Sequence, residues 1–221
     1  MPLLLTIPRE RHGAEAEAKA GGDAAVPTAP PANGRSLLLP AALYALIVTI
    51  SNALNSGLSA HLMGILTSLG LAAVLAAPMA SLWGIAQSLV RLANILFGGR
   101  IHPLALNLGA TLIFPACLTV GFASGMSPVA AAAFVFLYGA GNGLMTITRG
   151  TMPLVLFDPA AYGSLVGHLL VPSFVFAAAS PLIYATVIER YGASGALWLS
   201  IGLALVMLAA ALTLLLRCGG R

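Results

Sequence analysis

Few side chains in this chain can do chemistry, and the most conspicuous is Arg91, set in the run Trp83-Gly84-Ile85-Ala86-Gln87-Ser88-Leu89-Val90-Arg91-Leu92-Ala93-Asn94. On a helix turning about 100° per residue, Trp83, Gln87, Arg91 and Asn94 fall within an arc of roughly 80°, so a guanidinium shares a face with two amides. An ionisable group inside a membrane span costs about 2.5–3.5 kcal/mol on insertion scales and by default marks the path of a substrate or ion. The planar, five-donor head of arginine suits carboxylates and oxyanions, which biases such a path toward anionic or strongly hydrogen-bonding small solutes. The competing reading lets Arg91 snorkel to the cytoplasmic headgroups.

Three further runs carry polar groups at helical spacing. Asn52, Asn55, Ser56 and Ser59 share one face, and asparagines are expensive in lipid, so that face turns toward other helices or a cavity; interhelical bonding and solute contact are both open. His61 lies on the opposite side. Tyr138, Asn142, Met145 and Arg149 line one face of a run in which Gly139, Gly141 and Gly143 alternate. No strand precedes these glycines and no lysine follows, so they permit close helix approach or bending rather than phosphate binding. Ser164, His168 and Pro172 form a stripe, with His168 able either to titrate, to bind solute or to pack. Asn52, Asn55, Gln87, Arg91, Asn94, Tyr138, Asn142 and His168 are therefore the expected substrate path, with Arg100 and Arg149 the expected cytoplasmic anchors or gate.

Catalysis has no residues to stand on: there is no carboxylate pair, zinc motif or nucleotide loop, and neither a metal nor a cofactor is expected. Gly192-Ala193-Ser194-Gly195 has the GxSG form of a rhomboid-type protease, but that mechanism needs a histidine base on a later helix, and the last histidine is His168. Cys117 and Cys218 suggest neither a disulfide framework nor a metal site.

The elements that must position these groups are dictated by composition. Of 221 residues, 59% are hydrophobic and 7% charged, with a mean hydropathy of +0.98, against roughly 25% charged in a soluble domain. A soluble fold is excluded. Residues 9–35 hold half of the sixteen charges and read as a flexible cytoplasmic linker rich in Ala, Gly and Pro. From residue 36 to 221 the chain breaks into six apolar stretches of the length needed to cross about 30 Å of hydrocarbon, at approximately 37–60, 72–97, 104–122, 129–148, 163–187 and 196–216. Turn chemistry separates them at Thr67 to Gly70, Gly98 to Pro103, Ser124 to Pro128, Gly150 to Tyr162 and Arg190 to Ser194. The net charge of +4 does not point to nucleic acid. Six spans place Arg9, Arg11, Lys19, Arg35, Arg100, Arg149, Arg217 and Arg221 on one side and Arg190 on the other, so both termini are expected in the cytoplasm.

Gly84-Ile85-Ala86-Gln87 through Arg91, followed by Phe97-Gly98-Gly99-Arg100 and Pro103, resembles the eighth helix and following cytoplasmic loop of bacterial major facilitator superfamily transporters. Gly139 to Pro153 and Tyr162-Gly163 resemble their tenth and eleventh helices. The resemblance runs through residues 36–216, although the Gly-Gly-Arg loop lacks the aspartate of the fuller signature. It implies an all-α half-bundle of two inverted three-helix repeats in the bacterial inner (plasma) membrane. Residues 1–8 are then the remnant of a preceding helix end, and the chain is a C-terminal half whose partners are the lipid bilayer, a small solute and a missing N-terminal half or second copy. A non-transporting scaffold or truncated remnant is the alternative.

Overall fold

The computed structural model describes residues 34–97, 101–157 and 162–219, with backbone alone at 34–37 and 162–166. These form five helices, α1 (Gly34–Ser68), α2 (Ala73–Phe97), α3 (Pro103–Gly121), α4 (Pro128–Leu156) and α5 (Tyr162–Cys218), with no strand among the described residues. All five are long and apolar enough to cross a membrane. The chain is an all-α protein with the character of a multi-pass membrane protein.

Helix starts follow local chemistry. His102 and Ser127 cap α3 and α4, their side chains accepting from the Leu104 and Val129 amides, and Pro103 and Pro128 occupy the first helical position, where no N–H is missed. The turn after α1 meets the turn after α3. A Cβ on Gly70, which has φ +113, would lie 3.5 Å from the Gly125 backbone.

Two helices run further than the sequence suggests. α1 continues to Ser68 and α4 continues through Gly150 to Leu156, past the expected ends at 60 and 148. Pro153 lies inside α4 and cannot donate to the Arg149 carbonyl four residues back. The Tyr44 hydroxyl from α1 donates to that carbonyl instead, at 3.0 Å, so the helix survives its proline.

The helix α5 is 57 residues long and interrupted at one residue, Gly192, with φ 70 and ψ −174. Residues 16 apart on a straight helix are about 24 Å apart, yet Tyr184 Oη and Ser200 Oγ lie 2.6 Å apart. The two legs, 162–191 and 193–218, therefore fold back on each other at Gly192. The five-residue break expected from Arg190 to Ser194 is a single residue.

Packing rests on glycines and aromatics rather than on charge. The Tyr184 ring sits against Gly57 of α1, where a Cβ would come within 2.3 Å of it. Tyr138 of α4 is buried among Trp83 (centroids 4.9 Å), Phe114 (5.3 Å) and Phe134 (6.1 Å), joining α2, α3 and α4. Thr148, Ser180 and Ser200 are buried and bond back to their own helices, at Met145 O, Phe176 O and Ala196 O, and are thus satisfied without water, whereas Ser124 Oγ and Tyr138 Oη are buried with no hydrogen-bond partner among the described residues. α2 is the least covered helix, burying Ala76, Trp83 and Ala86 while Ile85, Leu89, Leu92 and Ile95 stay exposed.

Candidate functional site

The alternating glycines of α4 divide their work. A Cβ on Gly139 would lie 2.5 Å from the Trp83 carbonyl oxygen and one on Gly143 would lie 3.0 Å from that of Gln87, whereas Gly141 faces the Phe114 ring of α3. Gly139 and Gly143 thus form a small-xxx-small contact that lets α2 lie against α4 with their backbones nearly touching. Its register continues one turn further, where an Arg91 Nη donates to Thr146 Oγ1 at 3.2 Å.

That register opens a cavity of about 180 Å³ where α1, α2 and α4 meet. Its wall is Ser51, Asn52 and Asn55 from α1, Gln87 and Arg91 from α2, and Asn142, Met145, Thr146 and Arg149 from α4. Met145 is the one apolar member. Arg91 also reaches Gln87 Oε1 at 3.5 Å, and Thr146 donates to the Asn142 carbonyl at 2.9 Å. An Arg149 Nη donates to Asn52 Oδ1, while Asn52 Nδ2 donates to Ser173 Oγ at 3.0 Å. One asparagine on α1 thereby ties α4 to the first leg of α5. Asn55, Arg91 and Thr146 are exposed, so the cavity is open on one side. Arg91 lies six residues from the end of α2 and Arg149 seven from the end of α4, about 9–10 Å along the axis. Among the described residues the wall contains two guanidinium groups and no carboxylate.

A larger cleft of about 660 Å³ separates α1 from the legs of α5, lined by residues such as Leu46, Ile50, Phe176 and Leu203. Its Ser180 and Tyr184 hydroxyls are already bonded within the protein. Apart from Thr49, the rest of its lining is hydrocarbon.

Five of the expected path residues, Asn52, Asn55, Gln87, Arg91 and Asn142, line the small cavity together. Three do not. Asn94 is turned toward a separate hollow with Val90, Phe97, Ile101, Leu106 and Leu144, because three residues beyond Arg91 the helix has rotated past the α1 side. Tyr138 is one turn below Asn142 and is enclosed by aromatic rings. His168 is on an exposed face of α5, outside the cavity wall. Arg149, expected as an anchor or gate, is in the wall beside Asn52, and Arg100 lies outside the described residues. His61 donates through Nε2 to the Pro181 carbonyl at 2.9 Å, a bond between α1 and α5.

Sequence reasoning overlooked Ser51 and Thr146. Thr146 is four residues after Asn142, so the spacing that singled out Asn142 also selects it. Asn107 was overlooked too; it is buried in α3 with neither amide atom hydrogen-bonded among the described residues, and it does not line the cavity.

No protein-family model, curated protein or solved structure matches this chain. The functional reading rests on the cavity.

Proposed function

We propose that the chain is a six-span half of a major facilitator type secondary transporter and that a small solute passes through the cavity between α1, α2 and α4. The observation that carries this is a cavity with eight polar side chains in its wall inside a bundle of helices apolar enough to cross a membrane. Polar groups at this depth are expensive unless they face protein, water or a ligand. The two legs of α5 supply the fifth and sixth crossings, with both termini cytoplasmic. The exposed side at Asn55, Arg91 and Thr146 is where a second half, a separate chain or another copy, closes the path. Transporters of this kind work by rocking one half against the other about a central site.

The test is solute flux in proteoliposomes, with the oligomeric state fixed by cross-linking. Flux is expected from an assembly of two halves and is strongly reduced by Arg91→Lys at normal membrane levels. Lysine can still snorkel to the headgroups, so unchanged flux in Arg91→Lys makes Arg91 an anchor and removes it from the path. Robust flux from a demonstrated monomer overturns the half-transporter reading. A membrane scaffold predicts no flux in any assembly.

A further inference from the structure

We infer that Arg91 and Arg149 together form an oxyanion-binding site, with Asn52 standing in for the anion, so that the solute is a small carboxylate or phosphate-type ion. The inference rests on the proposed passage of a solute through this cavity and names its chemical class.

Arginine remains charged in proteins and offers five N–H donors in a planar fork. Arg91 uses one terminal nitrogen, on Gln87 and Thr146, and Arg149 uses one on Asn52. Every one of these acceptors is neutral. Two like charges share a cavity of about 180 Å³ with no carboxylate in its described wall, and in a low-dielectric setting each gains far more from an ionised acceptor than from an amide or hydroxyl. The missing negative charge is therefore expected to arrive with an occupant.

The remaining wall suits that occupant. Asn55 and Gln87 add amide groups able to donate to an anion's outer oxygens, and Asn142, whose Nδ2 already donates to the Tyr138 carbonyl at 3.0 Å, has one N–H left to add. The volume is below the roughly 300–1,000 Å³ of pockets for drug-sized ligands, which restricts the solute to a few heavy atoms. Asn52 Oδ1 occupies the place on Arg149 that an anion oxygen would take. Asn52 stays anchored through Nδ2 to Ser173, so the helix contact survives when Arg149 turns its N–H from Asn52 Oδ1 to an arriving ion.

The same chemistry could come from a free ion or from a lipid headgroup phosphate, and the experiment separates them. The full chain is placed in phosphatidylcholine nanodiscs at low ionic strength. Binding of inorganic phosphate, succinate, erythritol and choline is then measured by calorimetry. Saturable binding of phosphate or succinate, without erythritol or choline, is expected. Arg149→Lys and Asn52→Asp are each expected to weaken it at least about tenfold, the loss of one charge-assisted hydrogen bond. Asn52→Asp is the decisive variant because it is isosteric and places an internal anion on Arg149; it loses the Nδ2 donor to Ser173, whose hydroxyl turns from the Leu170 carbonyl to donate to the new carboxylate, so the variant should keep about the wild-type melting temperature while expelling the ion.

Unchanged anion binding in Asn52→Asp, or equal binding of choline or erythritol, overturns the inference, as does no anion binding by wild type in either lipid. Repeating the titration in phosphatidylglycerol nanodiscs addresses the lipid. If anionic lipid raises the melting temperature of wild type but not of Asn52→Asp, and abolishes the phosphate binding measured in phosphatidylcholine, the oxyanion site stands with the lipid headgroup as its occupant in an anionic membrane, and the soluble ion is overturned as its occupant there. Anion binding without flux in any assembly retires the transport reading and leaves the site. Flux of a neutral solute without anion binding does the reverse.

Discussion

Replacing Gly139 by alanine tests whether the glycine contact between α2 and α4 sets the cavity. The new Cβ would meet the Trp83 carbonyl oxygen at 2.5 Å and the Trp83 Cα at 3.0 Å, and both are backbone atoms that no rotamer change can move. Restoring an ordinary separation of about 3.4 Å to that oxygen requires the helices to part by about 0.9 Å. Overpacking of this kind costs about 1–3 kcal/mol, partly offset by the roughly 0.5–1 kcal/mol that alanine gains over glycine in a helix. The net loss is about 0–2.5 kcal/mol, or up to about 10 °C in melting temperature for a chain of this size. The same displacement carried up α2 stretches the Arg91 to Thr146 bond from 3.2 Å to about 4.1 Å, beyond hydrogen-bond range.

The assay is thermal unfolding in detergent followed by Trp83 fluorescence, in a Trp198→Phe background because Trp198 is the only other tryptophan. Gly143→Ala, whose nearest neighbours stand at 3.0 and 3.2 Å, should be close to neutral. Gly84→Ala and Gly150→Ala, with nothing within 4 Å, should be neutral or slightly stabilising. A Gly139→Ala protein that melts at or above Gly150→Ala refutes the close-approach argument.

Gly192→Ala should lower stability by about 1–3 kcal/mol, since φ 70 with ψ −174 is a region open essentially to glycine alone. With nothing within 4 Å of a Cβ there, the loss is backbone strain, and an unchanged melting temperature would disprove it. Tyr184→Phe and Ser200→Ala should each destabilise, and a double-mutant cycle should show coupling of about 0.6 kcal/mol, the average for hydrogen bonds between membrane helices. Strict additivity would mean that their 2.6 Å contact contributes nothing.

The parts of this fold legible in the sequence are those decided within one helical turn. His102-Pro103 and Ser127-Pro128 mark helix starts because cap and proline act locally. The shared face of Gln87 and Arg91 follows from the helical repeat alone. What escaped depends on a distant partner. Gly150 and Pro153 look like a helix end until Tyr44, 105 positions away from Arg149, supplies the donor that Pro153 lacks. Arg149 looks like an anchor until Asn52, 97 positions away, is placed beside it. Asn94 satisfies the same helical arc as Arg91, and the positions of α1 and α4 decide that one faces the cavity and the other does not. A periodicity names a face, and its neighbours are a property of the whole bundle.

The single-residue reversal at Gly192 makes the legs of α5 a lever with its fulcrum at one end. Tyr184 and Ser200 are each eight residues from Gly192, about 12 Å along the axes, whereas Ser173 is 19 residues away, about 28 Å. Any angular spread of the legs is therefore magnified about 2.4-fold at Ser173 relative to Tyr184. A spread that lengthens the Tyr184 to Ser200 contact by a tolerable 0.4 Å carries Ser173 about 1 Å away from the second leg. Asn52 bonds Ser173 at 3.0 Å with one end of its amide and Arg149 with the other, so it sits where that lever arm is long. The clasp near the fulcrum holds the hairpin together, while the buried Ser173 at the long end is where any spread of the legs would first strain the bond to Asn52.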